Sequence, residues 1–571
     1  MNEHTPEVSA ADVGLPDGHP LFSRRRLLRL GFTAGGALVL GPGLLAACGS
    51  GGSGTDGGSG TADAPTTGGA GPASGGSSPS SPAAPPAGTP KKGGTLNIGA
   101  DADPIGLNPH TTGAFSSYDF LALLFNGLLR WSEKMEPEPD LAESFENPDD
   151  TTYIFHLRQG VTFHNGQGFS AEDVKFTFDY ILDPTNASPQ ASIFETVKAV
   201  TVVDDNTVKF ELKSPDAAFL AYLATCPVGV IMPKGVTGQD TKPVGTGPFS
   251  FDSYTPNQQF VLKKFDGYFE KDEPYLDQVI FKFFKDQSSI TSALRSKAID
   301  MTWLKDPKVA AQIVKTAPDL VSAPGQTSRT FPVWLNMTRK PLNDVNVRRA
   351  LSLATDRKAC VDTVLAGSGK VGALIPESQV GGYDGTGDMP YYQRDVAQAK
   401  KLLADAGYPN GIDLGDYIVV AANDLDVQCS QILQQQWAEA GIKVNLKPSE
   451  TAPLLDDWAK GNYTILSVAL SWTPDPDAIC DRLLTTNTYG KAMGQTNTDY
   501  DDMVAKARGE LDKDKRAAAY LEIQKLVADQ AYNLEIYQYP LRWEMWWNYV
   551  KGYVALPANI RSYVRTTWLD K

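Results

Sequence analysis

The sequence predicts an α/β protein built from two or more lobes, on three observations. In the second half of the chain, helical stretches end at glycine and feed strands, as where 426–440 stops at Gly441 and runs into Ile442-Lys443-Val444-Asn445-Leu446. In the first half, Tyr153, Phe155 and Leu157 alternate with Ile154, His156 and Arg158, the period of a strand with one better-buried face. Once an N-terminal leader and a linker are set aside, about 480 residues remain, more than one hydrophobic core usually supports.

The leader is basic, then apolar. Its stretch from Leu30 to Leu45 is broken by glycines and falls short of the about 20 apolar residues of a membrane span. Ser23-Arg24-Arg25-Arg26-Leu27-Leu28-Arg29 resembles a twin-arginine export signal, an ordinary secretory signal being the alternative. Leu45-Ala46-Ala47-Cys48 resembles the lipobox of bacterial lipoproteins. The resemblance implies that residues 1–47 are removed, that Cys48 is lipidated, and that the protein is held at the outer face of the cell membrane. Residues 49–90 are almost wholly Gly, Ser, Pro, Ala and Thr, which cannot bury a core; as a coil they would span roughly 35 Å.

A net charge of -15 leaves no basic stripe to neutralise phosphates, so nucleic acid is not expected as a partner. Beyond Cys48 the cysteines are Cys226, Cys360, Cys429 and Cys480, without CxxC or His partners at zinc spacing. Either a disulfide forms, with Cys429 and Cys480 preferred, or the thiols are buried and free.

Along the chain, Thr95-Leu96-Asn97-Ile98 reads as a glycine-bounded strand, and 118–129 as helical. Thr152 begins the alternating strand, Asn165-Gly166 makes a turn, and Ser170 with Ala171-Glu172-Asp173 caps a helix bearing Val174, Phe178 and Ile181 on one face. Val202, Val208, Phe210 and Leu212 alternate about a hairpin turn at Asp205-Asn206. Pro243-Val244-Gly245-Thr246-Gly247-Pro248 is a preset turn where backbone can approach another segment closely. Strands recur at 259–264 and 278–284. Asn343-Asp344 caps a helix carrying Val347, Ala350 and Leu351, and a further helix runs from Asp395 to Ala406, stopped by Gly407. His110, His156 and His164 fall on a turn, a strand and a turn; hydrogen-bonded structural histidines are expected there, with no metal or cofactor.

Several of these blocks, in order, are similar to the extracytoplasmic solute-binding proteins of ATP-driven (ABC) importers, in the peptide, oligopeptide and nickel family. They are Tyr153 to Gly166 continuing to Val174, the turn Pro243 to Phe249, Asn346-Val347-Arg348-Arg349-Ala350-Leu351 with Asp356-Arg357, and Leu402-Leu403-Ala404-Asp405-Ala406-Gly407-Tyr408-Pro409. The resemblance implies a two-lobed periplasmic-binding-protein-like clamp of type II, enlarged with an extra subdomain. Lobe I would comprise about 93–328 and 539–571, including a subdomain at 131–240, and lobe II about 329–538. It further implies a monomer that captures a small solute, a peptide by preference, and hands it to an ABC permease without altering it.

Site residues follow from the same resemblance. In Leu470-Ser471-Trp472-Thr473-Pro474-Asp475-Pro476-Asp477, Asp475 matches the carboxylate that takes a peptide's ammonium, with Trp472 in the wall. The segment is shorter than usual, so Asp477 is the alternative acid. Trp334 and Asn336, two apart on the strand entering the second lobe, are expected to line the cleft, as is Tyr118 from the first. The rival classes are a membrane-tethered hydrolase or peptidase and a sensory binder. Against the enzyme, the chain has neither HExxH nor a G-x-S-x-G before a helix.

Overall fold

In the computed structural model the described residues are 88–571, except 113, 325–326, 386, 472–474, 541 and 557–561. The leader, Cys48, most of the linker and Trp472 therefore lie outside them.

The glycine-bounded strand Thr95–Ala100 pairs in parallel with Gln278–Phe283 on one side and Met301–Leu304 on the other. The sheet around it runs, edge to edge, 320–324, 543–547, 301–304, 95–100, 278–283, 259–264 and 249–255. Its members come from both ends of the described chain. Leu96 and Ile98 are fully buried, under a core with Phe120, Phe260 and Phe281.

A four-stranded antiparallel sheet, ordered 142–149, 152–157, 207–212 and 197–204, carries the alternating block. Tyr153, Phe155 and Leu157 point inward as their period requires. Against them packs the helix Ala171–Leu182, opened by a capping box in which the Asp173 carboxylate accepts from the Ser170 amide at 2.9 Å. Its Val174, Phe178 and Ile181 are buried.

The second large sheet runs 370–371, 533–540, 327–335, 465–467, 412–420 and 442–449, with 470–471 also pairing with 327–335. Helix Asp424–Glu439 precedes its parallel edge strand Ile442–Ser449, and Gly441 turns between them at φ 86°. The strand Thr327–Leu335 divides two cores: Phe331, Val333 and Leu335 enter one, Trp334 the other. The chain passes between the two large sheets twice, after Pro324 and after Pro540, where Thr327 pairs with Pro540.

Three expectations are corrected. The helix read at 118–129 spans Phe115–Leu124; Phe125 is extended because the chain must run straight to Gly127, which bridges Val230 so closely that a Cβ would meet the Leu223 carbonyl at 2.7 Å. Cys429 and Cys480 are not joined: the four described cysteines are free, and these two belong to different cores, so no disulfide can form between them without repacking both. Trp334 does not face a cleft; it is 0 % exposed and packs on Trp458 with ring centres 4.9 Å apart.

The turn 243–249 locks the subdomain to the first sheet. The Gly247 amide donates to the Leu124 carbonyl at 2.9 Å, and a Cβ on Gly245 would lie 2.1 Å from that same oxygen. His164 closes the turn: its Nε2 donates to the Gly247 carbonyl and its Nδ1 accepts from the Gly245 amide. Burial pushes its pKa down to about 4, so it is a neutral strut.

Candidate solute-binding site between the lobes

The segment after the second sheet's short strand Leu470–Ser471 builds the site. Pro476 starts a single helical turn, Asp477–Cys480, followed by a tighter one, Asp481–Leu483. Asp475 anchors it from below. Its carboxylate takes both terminal nitrogens of Arg516 at 2.7 and 2.8 Å and accepts the Asp477 amide at 2.9 Å. Arg516 in turn donates from Nε to the Ala507 carbonyl and from Nη2 to the Tyr520 hydroxyl. At 3 % exposure Asp475 fastens the loop to helices Thr498–Gly509 and Lys513–Gln530. Its charge is committed within the protein, and of the two acids the one that lines a cavity is Asp477.

Asp477 lines a cavity of about 650 Å³. One wall comes from the first lobe, with Tyr118, Ile193, Asp216 and Tyr222; the other comes from the second, with Asp477, Asp481, Arg482, Tyr489 and Arg508. The walls touch where the Ala217 amide donates to the Arg508 carbonyl at 3.1 Å. Arg508 gives Nε to Asp477 Oδ2 at 2.9 Å and Nη2 to Asp481 Oδ1 at 3.4 Å. Asp477 Oδ1 is buried and has no hydrogen-bond partner among the described residues. Burial drives the Asp477 pKa up to about 7, against the pull of Arg508 and with the push of Asp475.

A second cavity, about 750 Å³, lies in the same seam beyond the start of helix Phe115–Leu124. There Arg542 pairs with Asp119 at 2.9 Å and covers the Trp303 ring, while Arg329 reaches Asp426 at 3.5 Å beside Tyr539. Each of these cations already has a carboxylate.

A buried, two-walled, mixed-charge cleft in an α/β clamp is the architecture of a solute receptor, and comparison with known proteins decides which. Residues 136–491 match the model of the bacterial extracellular solute-binding proteins, family 5. The chain belongs to that family. Among family relatives, heme-binding protein A of Haemophilus influenzae is 29 % identical, with 75 % of this chain and 84 % of that one aligned. The dipeptide-binding protein of Escherichia coli is also 29 % identical, over 81 % and 93 % of the two chains. The periplasmic binding protein DppA of Helicobacter pylori, solved with the peptide STSA, superposes with a TM-score of 0.72 at 25 % identity, covering 84 % of this chain and 99 % of that one. No helix among the described residues is long and apolar enough to cross a membrane.

Of the residues singled out in the sequence, this family 5 cleft brings together Asp477 and Tyr118. Asp475 stands behind it as a structural ion pair. Asn336 is 0 % exposed and spends its amide on the Gly461 and Tyr463 carbonyls, and its Oδ1 on the Thr338 amide and hydroxyl. It ties off the end of its strand, which is why alternation alone misplaced it. Sequence reasoning passed over Asp216, Asp481, Arg482 and Arg508. The spacing of Asp477 and Asp481, four apart, would have marked one helical face; Asp216 and Arg508 reach the cavity only through tertiary folding.

Proposed function

We propose that this protein captures a short peptide in the cavity between its lobes, leaves it chemically unaltered, and presents it to an ABC permease while tethered to the membrane through lipid on Cys48. The observation that carries the reading is Asp477, a buried carboxylate with one oxygen unsatisfied, in the wall of a cavity that Tyr118, Tyr222 and Tyr489 also line. An ammonium group placed there gains a charge-assisted hydrogen bond and relieves the cost of burying the acid. Family relatives named for dipeptides and a structural neighbour solved with a peptide support the same class of solute. Because first-lobe and second-lobe residues both face the solute, binding favours the closed state by its differential affinity for it.

Calorimetry on the mature protein with a mixed peptide library, beside sugars, opines, heme and nickel chelates, tests the proposal. Heat from peptides that is lost on N-acetylation supports it. Heat from another class alone overturns the peptide assignment and leaves the receptor role standing.

A further inference from the structure

The four described cysteines do not share one environment. Cys360 and Cys429 are both 0 % exposed and belong to the same core of the second lobe, whereas Cys480 lies in that lobe's other core and Cys226 packs against the first sheet's core. Cys360 sits on helix Arg357–Val364 and Cys429 on helix Asp424–Glu439, and these helices pack with Cα atoms approaching within 8 Å. A clamp fixes their relation. The Asp356 amide donates to Gln436 Oε1 at 2.8 Å, Gln436 Nε2 donates back to the Asp356 carbonyl, and Trp437 Nε1 donates to the Thr355 hydroxyl at 2.9 Å. From that clamp Cys360 lies about one turn forward along the first helix and Cys429 about two turns back along the second. The thiols meet there: burial, and after it a hydrogen bond with Cys360, push the Cys429 thiol well above its ordinary range.

We propose that Cys360 and Cys429 are a disulfide pair, joined by thiol–disulfide exchange while the second lobe is folding. The family is extracellular, and an extracellular protein folds where disulfides persist. The exchange partner is itself a disulfide, carried by a small thiol or by an oxidoreductase. One protein thiolate attacks a partner sulfur, breaks the partner's S–S bond, releases one partner thiol and leaves a mixed disulfide. The second protein thiolate attacks the protein sulfur of that mixed bond and expels the other partner thiol. The two cysteines lose two electrons and two protons, and the partner gains both. In the finished fold the sulfurs are sealed from such a partner and thiolate is scarce, so the bond is set as the core closes. It closes a loop of about 70 residues. It also ties down the helix whose first residues Asp424, Leu425 and Gln428 line the second cavity, making that wall part of a rigid lobe.

The test unfolds the mature protein in urea with reductant and refolds it either in reductant or with oxidised glutathione. Free thiols are then alkylated under denaturing conditions, and the peptides are mapped without reduction. The oxidised sample should yield Cys360 and Cys429 in one linked peptide pair, with Cys226 and Cys480 alkylated, and should melt about 4–8 °C above the reduced one. Cys360→Ala/Cys429→Ala should melt at one temperature in both conditions. Alkylation of both residues in the oxidised sample, separate glutathione adducts on them, or linkage of a different pair overturns the proposal and leaves the thiols as small apolar packing. The same oxidant-dependent rise in the double variant also overturns it. A second arm needs no refolding: native protein held with oxidised glutathione should form the same link slowly in buffer and faster as urea nears the unfolding midpoint, because the oxidant reaches sealed thiols only through local opening. No link at any urea concentration in that arm overturns the pair as well.

Discussion

Asp475 and Asp477 stand two residues apart in one short loop and do different work. Asp475 faces a guanidinium that is itself buried, so Asp475→Asn breaks a desolvated ion pair and should cost about 3–5 kcal/mol of stability, seen as a lower denaturant midpoint. Asp477→Asn should leave the fold near wild type and weaken binding of a free amino terminus by about 2–5 kcal/mol. If the two phenotypes are exchanged, the assignment of roles is reversed. The pH dependence separates them again. In the folded, unliganded protein Asp477 titrates at about 7, and Glu535 at about 8, both raised chiefly by burial. Above pH 6.5, His110 and His164, lowered to about 4 by burial, are neutral when folded and at most half protonated when unfolded, so they offset the two carboxyls only in part, and that offset fades by about pH 7.5. Between pH 6.5 and 8 the folded state therefore holds protons that the unfolded carboxyls have already lost. Stability should fall as pH rises through that window, with a shallower slope in Asp477→Asn, as thermal melts in matched buffers would show. Affinity for an ammonium ligand runs the other way, rising toward pH 7 as Asp477 ionises.

Strands and helices followed their local patterns closely. The alternation of Tyr153, Phe155 and Leu157 and the capping box at Ser170 appear in the structure as read, because each depends on neighbours within a few residues. Trp334 shows the limit of that logic. A strand period says which residues share a face, but both faces of a central strand are covered here, so an aromatic on either is core. Trp334→Ala should accordingly cost about 3–5 kcal/mol in stability, with ligand affinity of the remaining folded protein little changed. The glycine turn makes a complementary case. A methyl group at Gly247 would meet the Leu123 carbonyl at 2.5 Å, on backbone that cannot swing aside. Gly247→Ala is expected to destabilise the junction between subdomain and first sheet, with amide exchange rising first around Phe163 and Leu124; uniform protection across that junction would refute it.

For the molecule as a receptor, the important contacts are those that cross the seam. The Ala217–Arg508 backbone bond is one, and it holds the walls in their present relation without any solute. A solute touching both walls should add to them. At a hundredfold excess over Kd it would stabilise the native state by about 2.7 kcal/mol, raising the melting temperature, while small-angle scattering records a smaller radius of gyration. A rise in melting temperature with no change in dimensions would indicate that the clamp is already shut when empty.

The linear order of residues was enough to point to an α/β receptor, most of its secondary structure and its family, since periodicity, caps and glycine stops act over short distances and survive in the string. It was also enough to bring Asp477 under suspicion. Folding alone could decide that Asp475 is spent on Arg516, that Asn336 ties off a strand, and that Asp216, Arg482 and Arg508 meet across one cavity. Those outcomes depend on which side chains far apart in the chain come to lie within 3 Å of each other, and whether a buried charge finds a partner is settled only when all of its neighbours are in place.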